Sequence, residues 1–153
     1  MKRLSFSLFV LTALTFSSQL KAQDEEAAVK AVIETMFDSM READSAKLHT
    51  VFIDEVIMQS IIPKRGVMSI NKGNLQGFLT GIGTPHEHVY DERILDYQIK
   101  IDGPMATVWT PYEFYLGEEF SHCGVNSFQL MKKAEGWKII YLVDTRRIKD
   151  CPK

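Results

Sequence analysis

The order of residue patterns predicts an α+β domain, with helices in the N-terminal half and a long antiparallel meander in the C-terminal half. Three observations carry that expectation. Apolar residues recur at steps of three and four between Val29 and Met40; four β-favouring segments follow one another from His88; and glycine-containing turns separate those segments. The length agrees, since 153 residues, 45% hydrophobic and 25% charged, suffice for one core and fall short of two. These proportions exclude a disordered chain, a collagen-like fibre and a miniprotein held by disulfides. A formal charge of −2 leaves no concentrated basic face, so no nucleic-acid partner is expected.

The first element is an export segment over residues 1–22. Lys2 and Arg3 give a positive start, Leu4 to Leu14 is mostly apolar, and Ala22 is the small residue ahead of Gln23. Ser5, Ser7, Thr12, Thr15, Ser17, Ser18 and Gln19 make the run too short and polar for a membrane anchor, which needs about 20 apolar residues. Cleavage would leave a domain over residues 23–153, periplasmic or secreted, with no stable membrane insertion. Loss of Lys2, Arg3 and Lys21 makes that domain more acidic than the whole chain. In an oxidising compartment Cys123 and Cys151 are an even pair that can bridge and pin the tail to the sheet. A buried Cys123 beside a free Cys151 thiol is the alternative.

The first helix of the domain is expected to open at Asp24, with Val29, Val32, Ile33, Met36, Phe37 and Met40 on its buried side. A shorter helix over Ser45 to Val51 follows, capped by Asp44. Ile53 to Ile62 and Val67 to Ile70 then form a strand pair around Pro63-Lys64-Arg65-Gly66, and Asn71 to Leu79 is helical, weakened by Gly73 and Gly77. The meander comprises His88 to Ile101, Met105 to Leu116, Phe120 to Lys132 and Trp137 to Arg147.

This order of elements, closing on Gly136-Trp137-Lys138-Ile139-Ile140-Tyr141-Leu142-Val143-Asp144-Thr145-Arg146, resembles the nuclear transport factor 2-like superfamily, in particular its SnoaL-like and "putative lumazine-binding" branches. The resemblance covers nearly all of residues 23–153. It implies a cone-shaped α+β barrel with a pocket between helices and sheet, and often a homodimer through the outer sheet face. It does not imply one activity, because the superfamily includes isomerases, dehydratases, cyclases, hydrolases and binding domains.

Strand parity then selects candidate site residues. Pairing Leu116 with Glu119, and Lys133 with Trp137, places Trp109, Glu113, Tyr115, His122, Asn126, Asp144 and Arg146 on one face, with Phe128, Leu130, Ile140 and Leu142 nearby. Thr110, Tyr112, Phe114, Cys123, Val125, Tyr141 and Val143 fall on the other. Apolar walls with a few convergent polar groups suit a small organic ligand, although a solvated or dimer-forming outer face uses the same residue types.

Within the set, His122 and Asp144 are the acid/base candidates, and Trp109, Glu113, Tyr115, Asn126 and Arg146 the ligand-binding ones. His122 bonded structurally to a carboxylate, and an Asp144–Arg146 ion pair that shapes the pocket, are the competing roles. His86-Glu87-His88 lacks a third ligand at suitable spacing, so neither a metal nor a cofactor is expected. Catalysis, if present, would be isomerisation, dehydration or cyclisation; ligand binding without catalysis and a protein-interaction module are the alternatives.

Overall fold

The computed structural model describes residues 5–151. Lys2, Arg3 and Leu4 of the expected export segment, and positions 152 and 153, lie outside the described residues. Helix α1 runs unbroken over Ser5–Arg41, so it does not open at Asp24. No proline or glycine stands within it to remove a backbone donor or favour the unfolded chain. Val29, Ile33, Met36, Phe37 and Met40 form its buried stripe as the spacing predicts. Each such side chain contributes about 2 kcal/mol on leaving water. Among the described residues no helix is long and apolar enough to cross a membrane.

Helix α2, Ser45–His49, is capped by Asp44, whose carboxylate accepts from the Lys47 N–H at 2.8 Å. Strands β1, Phe52–Lys64, and β2, Val67–Gly73, form a hairpin closed by Arg65 and Gly66. Both turn residues have positive φ, 53° and 81°, as a tight hairpin turn of this hand requires. The strand takes residues 71–73 from the expected third helix. That helix, α3 over Leu75–Gly83, starts where Asn74 accepts from the Gly77 N–H.

The first meander segment is two strands. Strand β3, Tyr90–Ile94, and strand β4, Gln98–Asp102, pair with opposite halves of β5, Met105–Leu116. Strands β6, Glu119–Lys133, and β7, Gly136–Thr145, complete a seven-stranded sheet of order β2-β1-β7-β6-β5-β3, with β4 also on β5. Every pairing is antiparallel except β1 on β7. The helices cover the concave face of this curved sheet, and Phe37 of α1 meets Phe128 of β6 edge to face at 6.2 Å. This is the predicted α+β cone.

The Cys123–Cys151 bridge is formed. It holds the tail beyond β7 to β6, where Cys123 and Arg147 also exchange both backbone hydrogen bonds, at 2.8 and 2.9 Å.

Candidate functional site

Between the concave face and helices α1 and α3 lies a cavity of about 450 Å3. Met36, Met40, Met58, Phe78, Phe114 and Leu142 give it apolar walls, and Ser60, Glu92, His122, Asn126, Asp144 and Arg146 supply the polar groups. His122, Asn126, Asp144 and Arg146 are therefore brought together as parity predicts. Trp109, Glu113 and Tyr115 are not among them.

The separation comes from one extra residue. Leu116 pairs with Glu119 as expected, but Tyr115 pairs with Phe120 and Phe114 with His122, leaving Ser121 as a bulge on β6. From that point each β5 residue is offset by one, and a one-residue offset turns every side chain to the other face. Thr110, Tyr112 and Phe114 thus point inward. Trp109 is 48% exposed on the outer face, whereas Tyr112 is 1% exposed. Glu113 accepts from the Tyr115 hydroxyl at 2.9 Å, and Arg93 lies over the Tyr115 ring. The expected grouping is corrected for these three residues.

On the other side of β6, two offsets cancel. Lys133 pairs with Gly136 instead of Trp137, and a second irregularity, between Gln129 and Leu130, leaves Ile140 as the extra residue on β7. Ile139 takes the inward position expected of Ile140, and Asn126 still faces Asp144.

The polar groups form two hydrogen-bonded sets that are coupled through their charges. Asp144, nearly buried, accepts from the Ser60 hydroxyl of β1 and from Arg146 Nε at 2.7 Å; Arg146 Nη2 also reaches Ser60 Oγ at 3.3 Å. Asn126 Nδ2 donates to Glu92 Oε1 of β3 at 2.6 Å. Burial pushes the Glu92 carboxyl up to about 7, opposed by the Asn126 bond, assisted by the Asp144 charge and opposed by Arg146. His122 is held below the usual histidine value, first by burial and then by the Arg146 charge, against the pull of Asp144. Its ring packs on Phe114 at 4.9 Å and edge to face on Tyr112 at 5.8 Å. The Tyr112 hydroxyl donates to the Thr145 carbonyl at 2.9 Å, and is turned to the backbone.

Sequence parity missed Glu92 and Ser60. A signal for Glu92 was present, since it alternates with Tyr90 and Ile94 and so shares their inward face. His86 stacks on Tyr90 at 4.0 Å and directs Nδ1 to the His88 carbonyl, a packing role. Among the described residues no three or more His, Cys, Asp or Glu side chains gather as a metal site requires.

A family profile described as "Putative lumazine-binding" matches residues 24–143. The chain belongs to that family. It shares the nuclear transport factor 2-like fold with solved structures of low sequence identity. One is a nuclear transport factor 2-like protein with a cystatin-like fold from Novosphingobium aromaticivorans, 10% identical, covering 88% of each chain at a TM-score of 0.70. A second, of unknown function from Shewanella baltica, is 16% identical, covering 81% of this chain and 94% of that one at 0.65. A third, titled a putative dehydratase from Streptomyces avermitilis, is 13% identical, covering 84% and 99% at 0.65. No curated protein matches the chain.

The architecture of this lumazine-binding-family chain offers three kinds of interaction. The apolar walls can bury a ring system, the Asp144–Arg146–Ser60 group can orient a polar substituent, and Glu92 can hold or release a proton near neutrality.

Proposed function

We propose that the protein is an exported nuclear transport factor 2-like domain that binds a small organic ligand in its cone. The supporting observation is a cavity of about 450 Å3 whose apolar walls converge on two neighbouring hydrogen-bonded polar groups, Asp144–Arg146–Ser60 and Asn126–Glu92. Export is supported by the residue pattern of positions 1–22 and by the Cys123–Cys151 bridge, which suits an oxidising compartment. The exported protein should begin at Gln23 on N-terminal sequencing. Native mass spectrometry of that protein should find a bound small molecule that is lost in Asp144→Ala and His122→Ala variants. An empty wild-type protein, or a ligand retained equally by both variants, would remove the reading.

A second reading, proton-transfer catalysis, is favoured by Glu92, a buried carboxyl tuned close to neutrality and facing the cavity beside Asp144 and His122. Isomerisation, dehydration or cyclisation would use this group. Incorporation of solvent deuterium into the bound molecule by wild type, lost in Glu92→Gln while binding persists, would support it. Equal incorporation by both proteins would exclude Glu92 from the chemistry.

A further inference from the structure

We propose that the cavity selects an uncharged ligand, an apolar ring body carrying a hydrogen-bonding oxygen, and rejects carboxylates and phosphates. The inference rests on the ligand-pocket reading above and adds the chemical class. Among the described residues lining the cavity, Arg146 is the one arginine or lysine. Its Nε is bound to Asp144 at 2.7 Å and its Nη2 to Ser60 at 3.3 Å. An anionic ligand would have to displace Asp144 from that guanidinium, or sit beside the carboxylate and be repelled by it. His122 is disfavoured as a second cation, because burial and then Arg146 oppose its charged ring, against the pull of Asp144.

A cationic ligand fares no better below neutrality. The Asp144 carboxylate is already compensated by Arg146 and bonded by Ser60. Glu92 keeps its proton below about pH 7, and one of its oxygens accepts from Asn126. What the cluster offers is a neutral carboxyl that can donate to a carbonyl, ether or hydroxyl oxygen. A buried charge without a partner is strongly unfavourable, so neutrality of the site is itself a selection rule. Phe114 and Tyr90 line the cavity with aromatic rings, and Met36, Met40 and Met58 line it with polarisable, adaptable side chains.

Three probes of matched shape test this: naphthol, naphthoate and naphthylmethylammonium, titrated into isotope-labelled protein at about pH 6, where the carboxylate and ammonium probes are charged and Glu92 is mostly protonated. Naphthol should shift the backbone resonances of Phe114, His122 and Asn126 and bind about tenfold more tightly than either charged probe. A charged probe that binds as tightly as naphthol, at the same resonances, overturns the inference and leaves the pocket reading intact. No response to any probe overturns both.

The charge rule is tested separately by Asp144→Asn, which releases Arg146 and should raise the ratio of naphthoate affinity to naphthol affinity about tenfold. If that variant does not fold, Arg146→Gln should gain affinity for naphthylmethylammonium instead. Absence of the gain in a folded variant refutes the role given to the ion pair.

Discussion

Burying a carboxyl group with one amide donor favours its neutral form, and Glu92 illustrates what this costs the fold. Its folded value of about 7 stands above the ordinary value of 4.5, so the folded state holds the proton more tightly than the unfolded chain. The resulting stability is fully present below about pH 4.5 and is lost as pH rises through about 7, an effect of about 3 kcal/mol. Chemical denaturation across that window should show the decline in wild type and a flatter profile in Glu92→Gln; parallel profiles would refute the assignment. Gly124 is constrained by space. A Cβ there would lie 1.8 Å from the Thr145 carbonyl oxygen and 2.9 Å from the Tyr112 ring. Gly124→Ala should therefore lower stability by about 3 kcal/mol in urea unfolding, because both neighbours are held in place by the Tyr112–Thr145 hydrogen bond. Composition and motifs did not single out Glu92, since one acid in a strand segment is ordinarily a solvent-facing residue; only the alternation with Tyr90 and Ile94 distinguishes it.

At the scale of elements, turns were legible and bulges were not. Glycine, proline and acidic residues mark where the meander reverses, so the β5, β6 and β7 segments fall close to their expected places. Ser121 carries no comparable mark: a serine in a strand looks the same whether it is paired or extra. The consequence is large, since this one residue decides whether Trp109 or Tyr112 enters the cone. The Asn126–Asp144 pairing was reached because a shorter turn and the bulge at Ile140 cancel. The Cys123–Cys151 bridge, one of the two states open to the pair in the sequence, links residues 28 apart. Replacing both cysteines by serine should cost about 3 kcal/mol in thermal or urea unfolding. Hydrogen exchange should also quicken at Arg147 and Cys123, whose paired amides the bridge keeps together. Unchanged exchange there would mean that the strand pairing alone secures the tail.

For the whole molecule, the bulge relocates a surface. Trp109, which it turns outward, shares the convex face of the sheet with Met68, Ile70 and Ile57, all exposed. Exposed apolar side chains on a sheet face suit an interface, and we propose a second copy of the chain as the partner. Sedimentation velocity should give a dimer for wild type and a monomer for Trp109→Arg with Ile70→Asp, both folded by circular dichroism. A monomeric wild type would exclude the assembly. Fold class and family were legible because the helix periodicity and the spacing of turns persist over nearly the whole domain. The contents of the cone were less so, because they depend on register, which two unmarked irregularities control. The parallel pairing of β1 with β7 has a further consequence, for the order of assembly. Ser60 and Asp144 meet across 84 residues of chain, so the meander can form from neighbouring segments while the cone stays open. The cone closes only when the final strand is available, and a chain still emerging from a ribosome or a membrane channel has no binding chamber to occupy.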